Sequence, residues 1–181
     1  MTALIWIDGN ALRVKELALI VPDLTVTAEA LQSGFSTSAP EPGQRARDKV
    51  LAHPVTVGCF AEAVDLTTMD GKSLRLELDT ENENRFCKWW RETPAKMHVV
   101  VALRREAGAD IQLFAAVAEG RIADKPAGPH FLGWDRLFVP AGEDLTLAQL
   151  TLAGEVMELR RTVYSELAHA LGLVATPPPV A

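Results

Sequence analysis

The sequence predicts one domain of the α/β or mixed α+β class, on three observations. Ala3–Ile7 (ALIWI) is a continuous apolar run with β-branched and aromatic members, the pattern of a buried strand. It passes through the turn triplet Asp8-Gly9-Asn10 into Ala11–Ile20, where Leu12, Leu17 and Ile20 recur at helical spacing. Strand-like and helix-like segments then follow one another with no internal repeat and no linker.

The elements follow in order. Pro22 stops the first helix, and Leu24–Thr27 reads as a second strand. Residues 33–43 (SGFSTSAPEPG) have loop composition, and Gln44–Ala52 reads as a short polar helix. Pro54–Phe60 and Ala63–Thr68 read as two strands. Asp70-Gly71 is a hairpin turn signal, and Ser73–Leu78 (SLRLEL) alternates as a half-buried strand does. DTENEN at 79–84 is an acidic loop, and Arg85–Arg91 is expected to be helical. His98–Arg104 and Ile111–Ala118 are further strands, and Leu145–Leu152 and Glu155–Leu171 are the last helices. The domain is expected over 1–174, followed by a disordered tail at 175–181 (ATPPPVA).

Composition narrows the function. Over 181 residues, 48% are hydrophobic, 23% are charged and the net charge is −6, values of a soluble globular chain rather than a disordered one. The acidic balance argues against non-specific binding to nucleic acid or to a membrane surface, which needs a basic face. No apolar run reaches the ~18 residues of a membrane helix, and the start carries no signal-peptide pattern, so a cytoplasmic location is expected. Cys59 and Cys87 match no disulfide framework or zinc spacing, and His53, His98, His130 and His169 form no H-x-x-x-H pair. Both cysteines are expected to be buried free thiols.

The opening strand–turn–helix is a place where an anion can be held. The first N–H groups of a helix are unpaired and its dipole adds positive potential there. Gly9 lets the backbone approach closely, Asn10 can cap or donate, and Arg13 lies one turn in. Asp8 opposes an anion unless a metal lies between them. The same residues also suit a plain helix cap.

The stretch Gly120–Pro140 (GRIADKPAGPHFLGWDRLFVP) is more specific. With Ala141-Gly142 and TLAQL at 146–150, it resembles the inosine-triphosphate pyrophosphatases, which hydrolyse non-canonical purine nucleoside triphosphates to monophosphate and pyrophosphate. That family shows GRI on a strand, a Gly-rich loop, F-G-[WY]-D-P-x-F-x-P-x-G and T-x-A-E-[ML]. The match here runs through Leu113-Phe114, Gly120-Arg121-Ile122, Gly133-Trp134-Asp135, Phe138, Pro140, Gly142, Thr146, Ala148 and Leu150. The family opening F-x-T-G-N-x-x-K-x-x-E is met by Ile7-Asp8-Gly9-Asn10, Arg13 and Glu16, and a K-W-F motif by Lys88-Trp89-Trp90.

The resemblance implies an elongated mixed sheet flanked by helices, two lobes around a central cleft, and a homodimer. It implies a nucleoside triphosphate as substrate and Mg²⁺ or Mn²⁺ as cofactor. Asp8, Gly9, Asn10, Arg13, Lys49 and Lys88 would hold phosphates. Asp65 would be the catalytic carboxylate, counted from Lys49, and would share the metal with Glu29; Glu62 is a further carboxylate for it. A rival alignment from Pro54-Val55 puts Gly58-Cys59 at that position and leaves no carboxylate. Trp134 and Asp135 would meet the base, with Glu155, Arg160 and Arg161 standing where the family keeps a Lys and S-H-R.

The departures set the expectation for this chain. The family Thr is Asp8, the first acid of the acidic pair is lost, and the base-reading Lys is Glu155. An ionised glutamate accepts hydrogen bonds, so a base with an amino group suits it better than a keto base. The expected activity is metal-assisted hydrolysis of a nucleoside triphosphate with altered base preference. The alternative is a weak or inactive relative that binds nucleotides or acts as a regulatory or interaction protein.

Overall fold

A computed structural model describes residues 2–31, 37–54, 57–75 and 82–177. The chain runs β1 (Thr2–Ile7), α1 (Ala11–Ile20), β2 (Leu24–Glu29), α2 (Pro42–Ala52), β3 (Cys59–Thr68), α3 (Glu83–Trp90), β4 (Pro94–Arg104), β5 (Gln112–Ile122), a 3₁₀ segment (His130–Leu137), β6 (Phe138–Pro140), α4 (Leu147–Leu152) and α5 (Glu158–Ala170). Six strands form one sheet in the order β2-β1-β3-β4-β5-β6. β1 runs parallel to both β2 and β3, whereas β5 and β6 are antiparallel, so the sheet is mixed as expected. The chain divides into two compact units, Met1–Ala63 with Val99–Ala116 and Arg160–Ala181, and Val64–His98 with Val117–Leu159.

In the first unit, β1 buries Leu4, Trp6 and Ile7, which is why its sequence is a continuous apolar run. Ile7, Ala46, Val50, Cys59, Ala61, Ala63 and Ala102 form one packed cluster. The residues 59, 61 and 63 alternate along β3 and face α2 through its Ala46 and Val50. Each large side chain so buried contributes roughly 1.5–3 kcal/mol. Trp6 packs against Phe60 at 4.9 Å and meets Tyr164 edge-on at 5.8 Å.

The second unit buries Leu66, Leu74, Phe86, Cys87, Met97, Ile122, Leu137, Phe138, Leu147 and Leu150. Thr146 caps α4 through a reciprocal box with Gln149. That helix ends in a Schellman turn, with Gly154 N–H bonded to Thr151 and Glu155 N–H to Leu150. Both cysteines are free and buried. Burial pushes the Cys87 thiol up to about 11.

Three expectations need correction. The strands expected at Pro54–Phe60 and Ala63–Thr68 are one strand, β3, which starts at Cys59. Glu62 made the run look interrupted, but its charge is met inside the fold by residues far along the chain. The last helix begins at Glu158 rather than Glu155, because the Schellman turn at Gly154 (φ 85°) intervenes. Ser73 makes one antiparallel bridge to Thr67 across the Asp70-Gly71 turn, as expected of a hairpin. Beyond that bridge Leu74 and Arg75 are not in a strand, contrary to the expectation for Ser73–Leu78; residues 76–78 lie outside the described residues, as do Gln32 and 79–81 of the acidic loop.

Candidate active site

In the first unit, β1 delivers the chain into the turn Asp8-Gly9-Asn10. Asp8 is left-handed (φ 63°), and its N–H bonds to the Glu29 carbonyl at 2.6 Å, fixing where the turn leaves the sheet. A Cβ on Gly9 would lie 2.6 Å from the Trp6 ring, so only glycine lets the backbone pass so close to the indole. Asn10 is the N-cap of α1 and its Oδ1 accepts the Arg13 N–H at 3.0 Å. Lys49, from the last turn of α2, donates to Asp8 Oδ2 at 2.9 Å and to the Glu62 carbonyl at 3.1 Å. Thus Asp8, Gly9, Asn10 and Lys49 come together at the start of a helix, with half of the Asp8 side chain (50%) exposed.

Arg13 and Arg160, both expected to contact ligand, lie buried in the fold. Arg13 is 4% exposed and ion-paired with Glu16, and Arg160 is 1% exposed. Arg160 donates to Glu62 Oε1 at 3.0 Å and Tyr164 donates to Glu62 Oε2 at 2.8 Å. Burial by itself would raise the Glu62 carboxyl. The Arg160 and Arg13 charges outweigh it, together with the two hydrogen bonds, and hold the group below the ordinary carboxylate range. Burial and the Glu62 charge push the Tyr164 hydroxyl well up. Arg161, the neighbour aligned with the family arginine, donates instead to the Thr176 carbonyl at 3.0 Å.

Glu29, at the end of β2, is hydrogen-bonded to His53 at 3.0 Å with its side chain 44% exposed. Among the described residues no three His, Cys, Asp or Glu side chains gather as a metal cage. Mg²⁺ is commonly held by one or two carboxylates together with waters and substrate phosphates, and an accessible carboxylate such as Glu29 fits that mode.

In the second unit, Asp65 is 3% exposed and accepts from the Ser73 hydroxyl, with both oxygens at 3.2 Å, and from the Leu66 N–H at 3.1 Å. Trp134 is half-buried in the 3₁₀ segment, with the Arg75 guanidinium 5.9 Å from its ring centroid. Gly133 turns the chain there (φ 53°, ψ −126°), a conformation that favours glycine. Asp135 is buried beside it. Lys88 is exposed near the end of α3, and Glu155 is exposed just after the Schellman turn.

The segment 72–158 matches the family model described as the Ham1 family. Over that segment the chain resembles the Ham1 family. Its fold agrees over nearly the whole chain with a Coxiella burnetii HAM1 protein (TM-score 0.68, 17% identity, 95% of this chain and 99% of that one). It is also similar to the Staphylococcus aureus Ham1 protein (TM-score 0.58, 19% identity, 93% and 98% covered). A third similar structure is that of a nucleoside-triphosphatase and dITP/XTP pyrophosphatase from Mycobacterium abscessus (TM-score 0.50, 18% identity, 94% and 97% covered). No curated protein matches the chain. Ham1-like proteins typically hydrolyse non-canonical nucleoside triphosphates and generally use divalent metals. Among the described residues of this chain, no helix is long and apolar enough to cross a membrane.

Sequence reasoning gave Glu62 only a secondary place, noted Glu16 only as a motif match and missed Tyr164. A signal was present. Arg13 and Glu16 are three apart on α1, and Arg160 and Tyr164 four apart on α5, so each pair shares a helix face.

Proposed function

We propose that the protein hydrolyses a nucleoside triphosphate to the monophosphate and pyrophosphate. Water oxygen would bond to the α-phosphorus, the bridging oxygen would leave with pyrophosphate, and a carboxylate would take the water proton. The observation that carries this reading is the Asp8-Gly9-Asn10 turn at the N-terminus of α1 with the Lys49 ammonium hydrogen-bonded into it, in a chain of Ham1 fold. The N-terminal end of a helix dipole and a cation at one turn suit phosphate oxygens. A phosphate would compete with Asp8 for Lys49.

Lys49 is proposed as the principal phosphate cation, with Lys88 as a second. Asp65 is proposed as the carboxylate that takes the proton. Glu29 and Asp65 would hold the divalent ion, which would neutralise phosphate charge. Trp134 offers a flat face for the base, and Asp135 an acceptor. Glu155 would favour a base bearing an amino group. The protein is proposed to act as a homodimer, which light scattering tests. The assay is pyrophosphate release from a panel of nucleoside triphosphates with Mg²⁺ or Mn²⁺. Release with at least one substrate, greatest for an amino-bearing base, is expected. No release from any triphosphate rejects the proposal, and a preference for inosine triphosphate rejects the altered specificity.

One observation favours a second reading. Arg13 and Arg160 are both ion-paired inside the fold, which leaves fewer cations for a developing charge. A nucleotide-binding member with little turnover would bind the same triphosphates without releasing pyrophosphate.

A further inference from the structure

Arg136 occupies the position at which the F-G-[WY]-D-P-x-F pattern has proline. Its side chain is 8% exposed and makes bonds to different segments. Nε donates to the Gly128 carbonyl at 2.8 Å. Nη1 donates to Glu83 Oε2, the first residue of α3, and to His130 Nδ1 at 2.8 Å. The Arg136 carbonyl in turn accepts the Ala127 N–H at 3.0 Å. Ala127 is held from its other side, its carbonyl accepting the hydroxyl of Thr146, the cap of α4, at 2.8 Å. A planar guanidinium can serve several acceptors at once, which an ammonium cannot do with the same geometry. The Glu83 carboxylate, at the N-terminus of α3, is also favoured there by the helix dipole.

We propose that Arg136 is a positioning residue, which ties Trp134 and Asp135 to α3 through Glu83, so that the platform proposed for the base and the helix bearing Lys88 are held as one piece. The inference rests on the functional reading above in that Trp134, Asp135 and Lys88 meet the nucleotide. A proline limits the chain by its fixed φ. Arg136 limits it by an ion pair and hydrogen bonds that reach another element. Loosening the tie leaves the phosphate chemistry intact and costs nucleotide affinity.

The test uses the full chain and the triphosphate it turns over best. Arg136→Gln and Glu83→Gln are each expected to raise KM about tenfold, the scale of a charge-assisted hydrogen bond, with kcat within about twofold. The double variant should be no worse than the worse single one, because both break the same tie. Arg136→Lys should stay within about twofold of Arg136→Gln. Simple loss of folded protein would lower kcat at constant KM, so a kcat effect without a KM effect overturns the proposal, as do additive effects in the double variant. Where Arg136→Gln does not fold, Glu83→Gln carries the test alone. Amide hydrogen exchange of the unliganded protein separates the two readings. If the wild-type protein releases no pyrophosphate from any triphosphate, the functional reading fails. Arg136 as the tie still stands if Glu83→Gln speeds exchange across 124–137, and falls if that exchange is unchanged.

Discussion

The charged network of the first unit and the proposed platform of the second differ in how far they are withdrawn from solvent. In the first, Arg13, Glu16, Glu62 and Arg160 are withdrawn almost wholly from solvent with Tyr164. In the second, Lys88 and Glu155 stand in solvent, and Arg136 is the buried cation that pairs with a partly exposed Glu83. The first arrangement is costly to break because each buried charge depends on another. The second is cheap to alter at its surface and suits residues that meet ligands. Substitutions in the first unit's network are therefore expected to show in stability, and those at the second unit's platform in nucleotide affinity.

Glu62→Gln tests that division most severely. It removes the carboxylate that Arg160 is hydrogen-bonded to and is expected to cost about 3–5 kcal/mol in urea unfolding. A loss of well under 1 kcal/mol would show the network to be solvated. Trp134→Ala comes next. It should weaken nucleotide affinity by about 1–3 kcal/mol while Tm changes little, whereas Trp89→Ala, at a residue 58% exposed, should leave affinity unchanged. Equal effects from the two tryptophans would end the claim for a platform.

The acid limb of stability is a smaller effect. The folded Glu62 carboxyl titrates below its ordinary value of 4.5, so its contribution is present above that pH and is lost as pH falls through the folded value. The wild type should therefore lose stability on acidification more steeply than Glu62→Gln, as followed by urea midpoints between about pH 6 and pH 3. Parallel curves would contradict it. The smallest expected effect is that of Lys49→Met, a rise in KM of about tenfold, the weight of one charge-assisted hydrogen bond to phosphate.

Much of the fold was legible from the sequence because it rests on local pattern. The ALIWI run buries Leu4, Trp6 and Ile7 as its composition leads one to expect, and Asp70-Gly71 makes the turn its chemistry favours. The GRI and GWD motifs pointed to the fold that the similar structures share. What could not be read is long-range. Glu62 and Arg160 stand 98 residues apart, and a charge in an apolar run looks like a break until its partner is known. Arg160 and Arg161 are neighbours that counting along the chain cannot separate, and only α5 decides which one is buried. Arg136 carries no signal in the sequence, because its charged partner Glu83 stands 53 residues away.

Water attack at the α-phosphorus is the central claim, and hydrolysis in ¹⁸O-labelled water tests it directly. With the preferred triphosphate and Mg²⁺, one labelled oxygen should appear in the nucleoside monophosphate and none in the pyrophosphate. Label in inorganic phosphate with a nucleoside diphosphate as co-product, or label in the pyrophosphate, would contradict it.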